Sequence, residues 1–322
     1  MSAQPLRVGA VDCGTNSIRL LVAEVRPGGR LVDVARRMEI VRLGHGVDRT
    51  GVIAPDAMAR TLARCVEYAA QCRDLGVARV RFVATSASRD ARNAAEFVAG
   101  VHEAFADFAV TPEVVTGATE ARLSFGGATG DLPAVHAPTP YLVVDIGGGS
   151  TEFVRGSDDV EAVLSVDVGC VRMTERHLRA DPPTAAQVAA ATADIDAAIA
   201  RAAEAVDFTG VRTLVGVAGS VTTVAAHVLG LAAYDPERIH LSRATPAQVH
   251  RAGADLLAMS RAERAELGFM HPGRVDVIGA GGLVWSRVVD RVCRDSGLGE
   301  ALPVLTSEHD ILDGIALSLL SD

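Results

Sequence analysis

Residues 141–154 read YLVVDIGGGSTEFV. An apolar, β-branched run ends on Asp145, three glycines follow without a break, and Ser150, Thr151 and Glu152 lead into a second run. Glycine costs entropy and packing in a strand or turn, so three in succession imply main chain that approaches another group closely. The flanking pattern predicts strand, tight turn, strand. The same arrangement occurs earlier, where Asp12-Cys13-Gly14-Thr15-Asn16-Ser17 shares the pattern DxGxxS with Asp145-Ile146-Gly147-Gly148-Gly149-Ser150. This recurrence predicts duplicated lobes, each offering one turn to a shared cleft.

Working outward, LRVGAVD, IRLLVAEV and LVDVARRMEIVRL read as three strands, with a turn over residues 26–30 between the last two. A helix is expected from Pro55 to about Leu75, with Met58, Leu62, Cys65, Val66 and Ala69 on one stripe. Strand VRFVAT, a helix from about Ala91 and strand VTPEVVTG complete an α/β lobe. After a Gly-, Pro- and Ala-rich passage from Gly126 to Pro140 the plan restarts: two strands around the triple glycine, a third in VEAVLSVDVG, and an Ala-rich helix carrying Val188, Ile195, Ile199 and Val206. Strand RTLVGVAG and further helices follow. The expected division is 1–125 and 126–322, with a C-terminal helix over about 307–322 available to pack back on the first lobe.

Composition narrows the function. The 322 residues are 49% hydrophobic and 22% charged, enough for about two buried cores. The chain shows no N-terminal signal pattern and no apolar run of the ~20 residues a membrane helix needs, so the cytoplasm is the expected location and no membrane partner is expected. Five cysteines without a CxxC pair suggest neither a disulfide framework nor a cysteine zinc site. A net charge of −9 argues against a general nucleic-acid binder. Lysine is absent and all 31 cationic residues are arginine, which excludes a Walker-type lysine and Schiff-base chemistry.

Converging backbone N–H groups in a glycine turn can cradle phosphate oxygens, and a terminal hydroxyl adds donors. Two such turns would grip a phosphate chain, using Gly14, Thr15, Asn16 and Ser17 in one and Gly147, Gly148, Gly149 and Ser150 in the other. Asp12 and Asp145 at the strand ends are candidate ligands for Mg²⁺, directly or through water. A third glycine turn, LVGVAGSVTTVAA, places Gly216, Gly219 and Ser220 ahead of a helix expected near Val221, a potential anion site.

These blocks, together with DCGTNSIRLLV, ATSASRDARNAAEF, VTGATEARLSFGG and VGCVRMTERHL, resemble in order those of the exopolyphosphatase / guanosine pentaphosphate phosphohydrolase family, within the acetate and sugar kinase, heat-shock chaperone and actin superfamily. The resemblance covers nearly the whole chain and implies two actin-like (ribonuclease H-like) α/β lobes. It also implies Mg²⁺- or Mn²⁺-dependent release of orthophosphate from inorganic polyphosphate, with a monovalent cation admitted, and a homodimer. Hydrolysis of guanosine pentaphosphate, and a kinase-like nucleotide-binding module, are the alternatives. By position, Glu120 matches the catalytic glutamate, Glu152 the second acid acting on the attacking water, Asp145 the metal-associated carboxylate, and Arg89 with Asn93 the block at the phosphate end. Thr119 stands where the family commonly has the first of two glutamates, and Cys13 where an aliphatic residue is usual. The added C-terminal helical domain of longer members is not expected.

Overall fold

A computed structural model describes residues 5–320. The chain divides into two compact units, one of residues 1–127 with 311–322 and one of residues 128–310.

The first unit opens with β1 (Arg7–Cys13), β2 (Ser17–Val25) and β3 (Leu31–Ile40), an antiparallel meander. Helices α1 (Val47–Thr50) and α2 (Pro55–Asp74) return the chain to β4 (Arg79–Ala84), which pairs parallel to β1. Then come α3 (Ser86–Asp90), α4 (Ala94–Ala104), β5 (Glu113–Val114) and α5 (Gly117–Thr129). The sheet order is β3-β2-β1-β4-β5. Both faces are buried, as period-two alternation dictates. Val11, Cys13, Ile18, Leu20 and Val22 pack with α2 and α4, whereas Val8, Ala10, Leu21 and Ala23 pack with Ile311, Leu312 and Ile315 of the C-terminal helix.

The second unit repeats this start. β6 (Tyr141–Ile146), β7 (Thr151–Gly156) and β8 (Val160–Val166) form a meander, followed by α6 (Cys170–Arg176) and α7 (Ala185–Val206). α7 begins at a capping box in which Thr184 and Gln187 each accept the other's backbone N–H. β9 (Thr213–Val217) runs parallel to β6 and leads into α8 (Ala218–Val228). Next come α9 (Pro236–Ile239), β10 (Ser242–Ala244), α10 (Pro246–Ala258), α11 (Arg261–Ala265), α12 (Ile278–Asp295) and β11 (Val304–Thr306). The order β10-β11-β9-β6-β7-β8 matches that of the first unit with one extra edge strand. The last helix, α13 (Ile311–Ser318), belongs to the first unit. Among the described residues no helix is long and apolar enough to cross a membrane.

Four local expectations change. The strand expected over VTPEVVTG shrinks to β5, because Pro112 has no N–H to give a ladder. The helix expected from about Ala91 begins at Ala94 as α4, and a short helix not expected from the sequence, α3, precedes it. On α2 the buried stripe is Ala57, Thr61, Cys65, Tyr68, Ala69 and Cys72, while Val66 is exposed. At 100° per residue Val66 cannot share the face of Cys65. The helix expected near Val221 starts at Ala218, so Gly219 and Ser220 lie within its first turn.

Candidate active site

The two glycine turns close alike. Gly14 N–H donates to the Ser17 carbonyl at 2.9 Å, and Gly147 N–H to the Ser150 carbonyl at 3.0 Å. Each joins the first two strands of its unit, and the register sets which residues face each other. Asp12 is opposite Arg19, and Asp145 is opposite Glu152. Directly opposed residues share one face of a sheet. Asp145 and Glu152 therefore emerge on the side away from Val144, Ile146 and Phe153, which enter the helix-packed core.

In the second unit the glycine turn is pinned from behind. Its carbonyls accept from the start of α6: Cys170 N–H on Gly147 at 3.0 Å, Val171 N–H on Gly148 at 2.9 Å, and Arg172 Nε on Gly149 at 2.6 Å. Gly169 permits this approach, because a Cβ there would lie 2.4 Å from the Gly148 oxygen. The Ser165 hydroxyl donates to Glu152 Oε1 at 2.7 Å, orienting a carboxylate that is almost wholly buried. Ser150 and Thr151 are buried as well, and Thr151 donates to the Val168 carbonyl at 2.6 Å.

The third glycine motif joins this cluster. The Cys170 thiol is hydrogen-bonded to Ser220; burial pushes its pKa up, against the lowering effects of that bond and of the Arg274 charge. Arg274 lies against the first turn of α8, donating to the Gly219 carbonyl at 3.3 Å. A Cβ on Gly219 would stand 2.2 Å from the guanidinium. Gly219 thus exists to admit an arginine, while Gly216 serves packing, since its Cβ would strike Val221 and Trp285. Ala218 takes a left-handed φ of 69°, a strained conformation for a residue with a side chain.

In the first unit, Arg19 Nε and Nη2 both donate to Asp12 Oδ2, at 2.9 and 2.7 Å. Thr15 shares a 2.7 Å hydrogen bond with Ser86, and the Asn16 carbonyl accepts from Val41 and Arg42. Glu120 sits buried in the first turn of α5, where Arg89 Nη1 reaches its Oε2 at 3.1 Å and the Val115 carbonyl at 3.0 Å. Asn93 stands apart: its amide accepts from Ile53 N–H and donates to the Ile53 carbonyl, a use that holds the loop before α2.

Sequence reading missed Arg19, Ser165, Arg172 and Arg274. Strand register brings Arg19 and Ser165 to their partners, and tertiary packing brings Arg172 and Arg274. For Arg19 one signal existed, since it follows Ser17 at the spacing that puts Glu152 after Ser150.

Residues 21–297 match the family described as the Ppx/GppA phosphatase family. The chain is 47% identical over 320 residues to Exopolyphosphatase 2 of Mycobacterium tuberculosis (strain ATCC 25618 / H37Rv), covering 97% of this chain and 98% of that one. It is similar to the crystal structure of an exopolyphosphatase-like protein, with a TM-score of 0.93 and 42% identity over 98% of each chain. The Aquifex aeolicus PPX-GPPA enzyme superposes with a TM-score of 0.78 at 28% identity, over 98% of this chain and 100% of that one. Two α/β units with matching strand order and matched glycine turns accompany this similarity over nearly the full length, and the chain belongs to the Ppx/GppA phosphatase family.

Proposed function

We propose that this protein is an exopolyphosphatase that hydrolyses the terminal phosphoanhydride of inorganic polyphosphate and releases orthophosphate. The observation that carries the reading is the opposed pair Asp145 and Glu152 beside a glycine turn whose carbonyls are tied to α6. Tying the carbonyls back leaves the turn's other side to meet anionic oxygens. Ser220 at the start of α8 and the Arg274 guanidinium add a donor and a positive charge next to that turn. Hydrolysis also needs a water aligned in line and relieved of a proton.

Glu152, oriented by Ser165, is suited to accept that proton. In the first unit, Glu120 is paired with Arg89, whose charge is complementary to phosphate. The donor set fits a hard cation: the Asp145 and Glu152 oxygens would hold Mg²⁺ or Mn²⁺, which when bound neutralises phosphate charge. Asp12 is less suited to that role, because Arg19 occupies its Oδ2. The functional unit is taken to be a homodimer, which light scattering of the active enzyme checks.

The deciding experiment measures orthophosphate release from short polyphosphate, long polyphosphate and guanosine pentaphosphate in parallel, with and without Mg²⁺. Release from polyphosphate that vanishes on chelation supports the reading. Preference for guanosine pentaphosphate would replace it.

A further inference from the structure

Away from the glycine turns, three side chains of the second unit meet at one carboxylate oxygen. His309 Nδ1 lies 2.8 Å and His240 Nε2 3.4 Å from Asp131 Oδ2, with the two imidazole centroids 4.5 Å apart. Ligand atoms of the three fall within 4.8 Å of one another, and among the described residues no other group of three His, Cys, Asp or Glu does so.

The backbone holds this convergence in place. β10 pairs with β11 at Ser242 and Thr306, and Leu241 N–H donates to the Thr306 carbonyl at 2.7 Å, so His240 is set beside the segment leaving β11. Leu241 takes a φ of 56°, strained for a branched residue, which redirects the chain just after His240. The Ser307 hydroxyl donates to the His309 carbonyl at 2.8 Å and accepts its N–H at 3.1 Å. Arg243 donates to the Val135 carbonyl at 3.0 Å, tying the turn after Asp131 to β10.

We propose that Asp131, His240 and His309 form a binding site for a borderline divalent transition metal ion of the Zn²⁺ class. Simple ion pairing explains three other histidine–carboxylate contacts: His177 with Asp194, His227 with Asp255 and His250 with Asp290 each bring one imidazole to one carboxylate. Here two imidazoles converge on a single oxygen, and protonating both would place two cations against one anion. Two neutral imidazoles and a carboxylate are instead a ligand set that suits Zn²⁺, with the fourth position left to water. The side chains of Asp131, His240 and His309 are 50%, 23% and 40% exposed, which gives an ion a path in.

On loading, each imidazole proton now directed at Asp131 moves to the far ring nitrogen, and the second proton of an imidazolium passes to the buffer, so that two neutral imidazoles face the ion. His240 then carries its proton on Nδ1, and the hydrogen bond that Nδ1 accepts from Glu308 N–H, long at 3.3 Å, is exchanged for the metal bond. Asp131 follows the start of the second unit and His309 precedes its end, so an ion fastens together the two ends of that unit's chain. Nitrogen donors favour such an ion over Mg²⁺, which separates this site from the phosphate chemistry.

The test uses the full chain, purified without a polyhistidine tag, stripped by chelation and returned to millimolar Mg²⁺ to occupy oxygen-only sites. Co²⁺ is titrated by its visible absorption and Zn²⁺ by calorimetry in two buffers, to count released protons. The expected result is one equivalent bound per chain with proton release and a raised melting temperature. Affinity should fall at least about tenfold in His240→Ala and in His309→Ala, and remain unchanged in His177→Ala and His250→Ala. His309→Gln, which keeps a hydrogen-bond donor to Asp131, serves if the alanine variants misfold, and it too should lose binding. Absence of stoichiometric binding in Mg²⁺, or binding that survives in folded variants of both histidines, overturns the proposal. Neither outcome bears on polyphosphate hydrolysis.

Discussion

Asp145 and Glu152 stand opposite each other across β6 and β7, at the position where β1 and β2 of the other unit oppose Asp12 and Arg19. One strand-turn-strand plan therefore carries two different charge pairs. Two carboxylates on one face attract a cation, whereas the carboxylate and guanidinium neutralise each other at 2.7 Å. The duplicated element is the same in backbone and unequal in chemistry.

That inequality predicts a ranking. Asp145→Asn should raise the Mg²⁺ concentration needed for half-maximal phosphate release far more than Asp12→Asn, because only the second unit's pair gathers positive charge. Mg²⁺ activation curves for the two variants at saturating polyphosphate decide it, and equal shifts would restore Asp12 as a metal ligand.

Glu152→Gln and Glu120→Gln should each lower turnover while leaving KM for polyphosphate within a few-fold of wild type. General-base assistance is worth roughly 10²–10⁴-fold, and an amide keeps the shape while losing the basicity. Steady-state kinetics of phosphate release measures both. Full turnover in one variant would assign the proton transfer to the other glutamate.

Gly169→Ala should disturb the phosphate turn through main chain, since its Cβ would press on the Gly148 and Gly147 carbonyls at 2.4 and 2.8 Å. A stability loss of about 1–3 kcal/mol is expected, as for other overpacked sites, together with weaker inhibition by orthophosphate. Gly14→Ala meets only ordinary contacts, at 3.6 Å to the Ser17 oxygen and 3.9 Å to Thr85 Oγ1, and should leave the melting temperature near wild type. Urea unfolding of both variants makes the comparison.

Alkali should unfold the protein through its thiols. Burial pushes Cys65 and Cys72 to about 12, and Cys293, with Glu300 and Asp290 nearby, to about 11. A raised folded-state pKa means the unfolded chain ionises first, at the ordinary thiol value of ~8.5. The stabilisation is complete below that pH and is lost as pH climbs from there through the folded values, by up to about 1.4 kcal/mol per pH unit for each buried thiol. Urea midpoints between pH 8 and pH 11 should fall steadily, and Cys65→Ala should flatten the curve. In native protein at pH 8, Cys293 should react first with a thiol reagent, being the one cysteine among the five that is partly exposed.

Much of the architecture was legible in local pattern. β1 and β2, and β6 and β7, alternate apolar faces around turns that contain glycine, and the pairing of Arg7–Cys13 with Ile18–Glu24 and of Tyr141–Ile146 with Thr151–Gly156 follows from that alternation. The DxGxxS recurrence announced the duplication, because a turn that must admit main chain close to another group tolerates few residues. Local pattern failed where a single residue overrides it, as Pro112 does in cutting β5 to two residues.

The candidate site was only partly legible, and the division has a physical cause. Sequence by itself marked Asp145 and the glycines through the repeated DxGxxS spacing, which one hairpin sets, and marked Glu152 and Glu120 through the family resemblance. Tertiary structure decided what those residues meet: Ser165 reaching Glu152 from the next strand, Arg89 reaching Glu120 from another helix, and Arg274 lying where Gly219 leaves room. It also brought Asp131, His240 and His309, far apart in the chain, onto one oxygen. Spacing along a chain constrains neighbours within a turn or a hairpin, whereas contacts across the fold are fixed by how helices and sheets pack, which no short stretch of sequence encodes.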